Sequence, residues 1–322
     1  MAKRHPEVEK KLIGLADLVI TAAAKKKDPA ISIPVRSLSN VKFNVKKGYI
    51  EMGSNKQMRT FFNVGMAKKF MQTMLVADAL AELQKADLTT SLREIYYRTK
   101  HTMGDSHENT FDDQAESDPV IEDLEVGLAA LREEFHVRAE NAGTIIGPVV
   151  FEDDGDRVDC AKLGKGGYSV PSIVEEEYLQ IKKCTADFVL LIEKGTQWNR
   201  LAEDKFWKKF NCILLTGNGQ PPRGVRRLAR RLHEEKKLPV YVLVDNDPWG
   251  YYIYSVVKQG SINLAFESQR MAIPHAKFIG LSSEDPETYG LPRNVGIKLN
   301  DKDVARAKEL INYPWFQKKE WQ

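Results

Sequence analysis

Val240-Tyr241-Val242-Leu243-Val244-Asp245-Asn246-Asp247-Pro248-Trp249-Gly250 is the stretch whose reading decides the fold. Valines 240, 242 and 244 with Leu243 form an apolar run that predicts a buried strand. The run ends in carboxylates at i and i+2, followed by a proline and a glycine. Hard divalent cations take oxygen ligands, and two aspartates at the carboxyl end of a strand can aim at one ion. Upstream, Phe188-Val189-Leu190-Leu191-Ile192 is a second such run, and it too ends in an acid, Glu193. Glu193, Asp245 and Asp247 are therefore candidate ligands for Mg²⁺ at one edge of an α/β sheet. Acids after strands also cap helices, and Pro248 at a helix start makes Asp247 a credible N-cap.

Around these two runs the pattern alternates: strand 188–192, helix 197–209, strand 212–215, helix 223–236, strand 240–244, helix 249–258. That spacing predicts a parallel, doubly wound, Rossmann-like sheet. Thr216-Gly217-Asn218-Gly219-Gln220-Pro221-Pro222-Arg223-Gly224 follows the middle strand. It would bring backbone amides and a guanidinium to the edge where the acids lie, a placement suited to phosphate. Gly164-Lys165-Gly166-Gly167-Tyr168 lacks the Lys-Ser/Thr ending of a phosphate loop and reads as an ordinary loop, or at best as a basic turn near a backbone phosphate.

Toward the amino terminus, Val8, Leu12, Leu15, Leu18, Val19 and Ala22 make a helical stripe over residues 7–24. Two readings are open: a helix packed on its own domain, or a docking helix for a partner ahead of a loose connector at 25–34. Residues 41–52 predict one or two strands around Gly48, and 57–86 a long helix rich in Phe and Met. Ser91-Leu92-Arg93-Glu94 has the spacing of a capping box, so a helix starts at Ser91. Asp118-Pro119 predicts another helix start. Residues 135–139 and 144–151 predict two strands joined by a turn at 140–143. Three helices followed by a β-hairpin wing is the order of a winged helix. The acidic run Asp153–Asp156 predicts a domain boundary.

Composition excludes little. The chain has 322 residues, 42% of them hydrophobic, with a net charge of +3, so no strong overall basic field announces nucleic acid. Local clusters matter more: Lys25-Lys26-Lys27, and Arg223, Arg226, Arg227, Arg230 and Arg231. Three widely spaced cysteines, without a Cys-x-x-Cys pair, suit reduced thiols and suggest no zinc. No apolar stretch approaches the roughly 20 residues that span a bilayer, and no secretory leader is visible; a cytoplasmic protein is expected.

Tyr96 and Tyr97 sit within one turn of Arg93, Arg98, Lys100 and His101. Tyrosine is a weak nucleophile near neutral pH and needs cations, a base or a metal beside it. Two adjacent tyrosines on a helix usually mean one packed and one at the surface, and composition does not separate that from catalysis.

Together these motifs resemble a known family. Glu193 followed by Asp245-x-Asp247 on alternating strands resembles the Toprim domain of topoisomerases and primases. Leu92-Arg93-Glu94-Ile95-Tyr96-Tyr97 resembles the catalytic-tyrosine motif shared by the topoisomerase VI A subunit with its meiotic double-strand-break relatives. Thr216–Arg226 and Asp245–Tyr251 are similar to that family's Toprim stretches. The resemblance covers about residues 60–320.

It implies an α+β two-domain chain: residues 1–56 as a helix and connector for partner docking, 57–153 as a winged-helix (CAP-like) catalytic-tyrosine domain, and 154–322 as an α/β Toprim domain. It implies further that Tyr97 attacks double-stranded DNA to form a 5′-phosphotyrosyl link and that Arg93 holds the phosphate or lowers the tyrosine pKa. Glu193, Asp245 and Asp247 would hold Mg²⁺. The chain would work as a homodimer, one protomer's tyrosine meeting the other's acids. A separate GHKL-type B subunit would bind ATP in an A2B2 assembly. Arg98, Lys100, Arg223, Arg226 and Arg227 would face the DNA backbone. The family continues past Pro314-Trp315-Phe316 with a further helical segment, whereas this chain stops at Gln322. Two other readings are a break-former that cuts without strand passage and a non-catalytic winged-helix DNA-binding protein.

Overall fold

Alternate side chains of the run Phe188–Ile192 enter different cores: Val189 and Leu191 join one buried cluster, Leu190 and Ile192 another. Such two-sided burial is what a near-continuous apolar strand signals. The structure, a computed structural model, describes residues 5–282, 284–292, 294 and 296–317. It divides into two compact units, one formed by residues up to 40 and 53–140, the other by 41–52 and from 141 onward.

In chain order the elements are α1 (Pro6–Ala24), β1 (Ala30–Pro34), β2 (Val41–Asn44), β3 (Tyr49–Met52), β4 (Lys56–Thr60), α2 (Val64–Ala86), β5 (Thr90–Ser91), α3 (Leu92–Thr99), α4 (Gln114–Gly127) and β6 (Val137–Arg138). They continue with β7 (Thr144–Ile146), β8 (Val149–Asp153), β9 (Asp156–Asp159), β10 (Tyr168–Ser169), β11 (Leu179–Cys184), β12 (Phe188–Ile192), α5 (Gly195–Glu203), α6 (Phe206–Lys209), β13 (Cys212–Thr216), α7 (Arg223–Lys236), β14 (Val240–Leu243) and α8 (Pro248–Gln259). The remainder is α9 (Ser268–Met271), β15 (Lys277–Ile279), α10 (Asp285–Thr288) and α11 (Asp301–Ile311).

The first unit packs Val8, Leu12 and Leu15 of α1 with Phe70, Leu80 and Leu83 of α2, Ile95 of α3 and Ile121 and Leu124 of α4. The first of the two readings of α1 therefore holds for its inner face, while Ile13, Leu18 and Ile20 are exposed. Residues 57–60, expected as the start of a long helix, are strand instead. They pair antiparallel with β1, from Ala30↔Thr60 to Pro34↔Lys56, and α2 begins only after Asn63, whose side chain caps it. Helix propensity at 57–60 loses to ladder hydrogen bonds with the distant segment Ala30–Ile33.

The helix expected to start at Asp118-Pro119 starts at Gln114, because the Asp113 side chain accepts the Glu116 amide at 3.2 Å. Pro119 lies inside that helix, past its first turn. The hairpin expected over 135–151 is not formed among the described residues. β6 pairs in parallel with β5 in the first unit, whereas β7 joins the sheet of the second.

In the second unit, among the described residues, a six-stranded sheet has the order β10-β7-β13-β12-β14-β15. β13, β12, β14 and β15 run parallel; at one side β7 pairs antiparallel with β13, and β10 antiparallel with β7. α7 packs on one face through Val225, Leu228, Ala229 and Leu232, joined by Ile253 and Val257 of α8. Trp198 and Ala202 of α5 and Trp207 of α6 cover the other face. The expected helix 197–209 is two helices, split at Lys205, which takes a left-handed φ of +52°.

Asp153–Asp156, expected as a boundary, is a hairpin turn between β8 and β9 inside a three-stranded sheet. Its centre, Asp154-Gly155, has φ +48° and +89°, the positive pair that a two-residue primed turn demands. The expected limits 1–56, 57–153 and 154–322 thus differ from the two units, the second of which takes in residues 41–52 and resumes after residue 140. The terminal residues 1–4 and 318–322 of those limits lie outside the described residues. Among the described residues no helix is long and apolar enough to cross a membrane. Burial pushes the Cys160 and Cys212 thiols up to about 12, so both are inert packing groups.

Candidate active site

β12 pairs with β13 on one side and β14 on the other, with Ile192 opposite both Thr216 and Leu243. All three strands therefore end at one level, and the residues that follow them emerge together. The sheet changes direction here, since the chain passes from β12 to β13 and then back across to β14. Ligands of open α/β sheets bind at such a switch point, outside the carboxyl ends of the strands. Glu193 and Asp245 lie there.

The Glu193 carboxylate accepts the Asp245 amide at 3.1 Å, which ties the two strand ends together. Gly219 of the next loop donates to the Glu193 carbonyl at 2.8 Å, so the expected approach of the 216–224 loop to this edge holds. Asp247 caps α8, its carboxylate accepting the Gly250 amide at 2.7 Å. Asp245 is ion-paired with the Lys194 ammonium.

These residues fit a hard divalent cation. Burial raises the Glu193 carboxyl above its ordinary value; the Asp245 amide offsets part of this, and the negative charges of Asp245 and Asp247 add to it. That repulsion among carboxylates is what a divalent cation relieves. Among the described residues no three His, Cys, Asp or Glu side chains already converge as a cage. Each of the three acids has one engagement elsewhere: an amide, an ammonium or a helix start.

Gly250 holds the turn. A Cβ there would fall 2.2 Å from the Asp245 carbonyl oxygen. Gly250→Ala is expected to displace Asp245 and Asp247 and to lower metal-dependent activity about 100-fold, with the far-UV circular dichroism unchanged. Wild-type activity in this variant would show that the turn does not position the acids. At Gly195 a Cβ would fall 2.3 Å from the Asn218 side-chain oxygen, so the loop after β13 packs closely on the start of α5.

In the other unit α3 begins as expected, with the Ser91 hydroxyl accepting the Glu94 amide at 3.1 Å. Ile95 and Thr99 are its buried face. Tyr96 is the anchored tyrosine: its hydroxyl donates to the Asp112 carbonyl at 2.9 Å and accepts from Lys100 at 2.8 Å. Tyr97 is 60% exposed, its ring tilted on that of Tyr96 at 5.2 Å. Arg93, one turn earlier, is also exposed and has no hydrogen-bond or ion-pair partner among the described residues. Residues four apart share a helix face, so Arg93 and Tyr97 present a cation and a phenol together.

The other basic residues fare differently. Arg98 pairs with Glu82 at 3.1 Å, an exposed contact that solvent screens. Lys100 is folded onto Tyr96, and that hydrogen bond raises its ammonium. Arg223, Arg226 and Arg227, expected to face DNA, are held inside their own unit. Arg223 pairs with the buried Glu267 at 2.8 Å, Arg226 is only 4% exposed, and Arg227 grips Glu175 with two nitrogens at 2.9 and 2.8 Å. The physical reason is that α7 lies on the sheet with its arginines reaching buried carboxylates and carbonyls, so their charge is spent internally.

Burial raises Glu175, but hydrogen bonds from Arg227 and the charges of Arg270 and Arg227 outweigh it and hold the carboxyl down at about 2. A depressed carboxyl stabilises the fold above its unfolded value of 4.5, and that contribution fades as pH falls toward 2. Glu175→Gln is therefore expected to lower stability by about 2–3 kcal/mol at pH 7. The difference from wild type should shrink below pH 4.5 in urea unfolding midpoints; a gap independent of pH would refute it.

Two participants escaped the sequence reading. Lys194 follows a predicted ligand directly, but a lysine beside an acid carries no distinctive signal. Gly250 was visible as a turn residue, although not as one packed against Asp245.

Three family models match the chain. One described as "Type IIB DNA topoisomerase" covers residues 68–137, which include Arg93 and Tyr97. One described as "All-beta domain in DNA topoisomerase VI alpha subunit" covers 139–185. The Toprim-domain model of the topoisomerase 6 A-subunit/Spo11 family covers 188–322, which include the three acids. Among curated relatives, the chain is 44% identical to the type 2 DNA topoisomerase 6 A subunit of Pyrococcus horikoshii, over 98% of this chain and 85% of that protein. The protein of that name from Aeropyrum pernix is 40% identical over 93% and 81%, and that from Methanocaldococcus jannaschii 38% over 100% and 87%.

Proposed function

The chain belongs to the DNA topoisomerase VI A-subunit family, the DNA-cleaving subunits of type IIB topoisomerases, and from that premise we propose that Tyr97 is its nucleophile. One observation carries this choice between the two tyrosines: Tyr96 is tied to the Asp112 carbonyl and to Lys100, whereas Tyr97 stands free beside an unpaired Arg93.

The Tyr97 hydroxyl oxygen attacks the phosphorus of a DNA phosphodiester and its proton leaves to solvent. The bond to the 3′ oxygen breaks, that oxygen takes a proton from solvent and leaves as the 3′ hydroxyl, and the 5′ phosphate stays on Tyr97. The Arg93 guanidinium, on the same face, takes the non-bridging phosphate oxygens. Glu193, Asp245 and Asp247 would hold the divalent metal that the Toprim family uses, read here as Mg²⁺. When bound, it supplies a Lewis acid that stabilises charge on the phosphate and the departing oxygen. The phosphotyrosyl bond conserves the energy of the phosphodiester, so resealing is the same step reversed.

We read α2, α3 and α4 as the helical part of a winged-helix module, whose wing is not the hairpin expected at 135–151. A homodimer, in which a second copy supplies the acids for each tyrosine, and an A2B2 assembly with an ATP-binding GHKL-type B subunit complete the reading. With that partner, ATP, Mg²⁺ and supercoiled plasmid, relaxation is the expected result. Protein-linked breaks without relaxation would favour the break-former. Binding with no covalent adduct under any condition would end the catalytic reading.

A further inference from the structure

Lys194 occupies a position that ordinary helix chemistry disfavours. It is the N-cap residue of α5, with extended φ/ψ of −87° and 123°, and its side chain makes no capping hydrogen bond. A lysine there accepts nothing from the orphan amides and sets a positive charge at the positive end of the helix dipole. What compensates is its ion pair with Asp245. The Asp245 side chain is 24% exposed and that of Lys194 52%, so the carboxylate is held in the site while the ammonium comes in from the solvent side. Glu193, which precedes Lys194, accepts the Asp245 amide, so the ammonium sits among the carboxylates at this strand edge.

We propose that Lys194 is the tethered counter-cation of the acid centre: it neutralises Asp245 while no divalent metal is bound and must release that carboxylate when one enters. The inference rests on the assignment of Glu193 and Asp245 as metal ligands. A tethered ammonium competes with the metal for one oxygen donor set, so it lowers the affinity of the centre. The four-carbon stem of lysine, on a side chain that is half exposed, lets the group swing out without moving the strand ends. Lys194 is thus a positioning residue that tunes metal loading.

The test is calorimetric titration of the full chain with Mn²⁺ alone, with no DNA and no B subunit, so that the readout is metal affinity rather than turnover. Lys194→Met keeps the stem and removes the charge, and Lys194→Gln is a second neutral variant. Both are expected to bind Mn²⁺ about three- to tenfold more tightly than wild type, the competition a half-exposed pair can exert. Lys194→Arg, which keeps a cation, should stay close to wild type. Asp245→Asn should lose most of the binding and serves as the reference for the site itself. Neutral variants that bind equally or more weakly, with Asp245→Asn defective, would overturn the role of Lys194. Asp245→Asn binding as wild type would instead overturn the assignment of the metal site, and the inference with it.

Discussion

Tyr97→Phe is expected to abolish the covalent protein–DNA link, lowering cleavage by about 10³-fold or more, because the other hydroxyls of α3 are engaged, Tyr96 with Asp112 and Lys100 and the buried Thr99 with the Ile95 carbonyl. Duplex binding should persist, since the exposed ring and Arg93 remain. Tyr96→Phe provides the contrast. It removes the hydrogen bonds to the Asp112 carbonyl and from Lys100, at 2.9 and 2.8 Å. Together they are worth about 1–2 kcal/mol of local stability. The nucleophile survives in that variant, so its adduct should form more slowly but still form. Trapping the adduct with detergent on end-labelled plasmid, in the presence of the B subunit, measures both. Adduct in Tyr97→Phe together with none in Tyr96→Phe would reverse the assignment.

Glu193→Gln and Asp245→Asn are expected to lower metal-dependent cleavage by about 10²- to 10⁴-fold, since each keeps the shape of its side chain and removes one ligand charge. Asp247→Asn should be milder. One oxygen of Asp247 accepts the Gly250 amide at 2.7 Å, and asparagine caps a helix about as well as aspartate. Asp247→Ala should add a stability loss of about 1 kcal/mol, because the cap itself is gone. Cleavage measured against Mg²⁺ concentration separates the two kinds of loss: excess Mg²⁺ should partly restore Asp247→Asn and leave Asp245→Asn inactive. Full activity of Asp245→Asn at limiting Mg²⁺ would remove it from the ligand set.

Much of the candidate site is legible in the order of the residues. The runs at 188–192 and 240–244 are apolar on both faces, which only a central strand tolerates, and each ends in an acid. The Ser91 cap places the start of the tyrosine helix to the residue. Other local signals are masked by their neighbours. Asp154-Gly155 is a primed-turn dipeptide, but the acids around it read as charge before they read as backbone conformation. The arginines of α7 look like a basic face only if all of them are taken as exposed. Their helical spacing puts Arg226 and Arg231 on the buried side with Val225, Leu228 and Leu232.

The sequence by itself determined the elements whose cause lies within a few residues: strand and helix periodicity, the caps at Ser91 and Asp247, and the delivery of Glu193, Asp245 and Asp247 to strand ends. Those rules act through one turn or one pleat, so they are written locally. Tertiary structure alone decided partners. It made Tyr96 the anchored tyrosine through Asp112, turned residues 56–60 into a strand through β1, and spent Arg227 on Glu175, 52 residues away. It also set the Lys194 ammonium on Asp245. A charge or hydroxyl in the sequence declares what it can bind; only the folded chain fixes which group stands within about 3 Å of it, because hydrogen bonds and ion pairs act at contact range and contacts join segments that the sequence keeps apart.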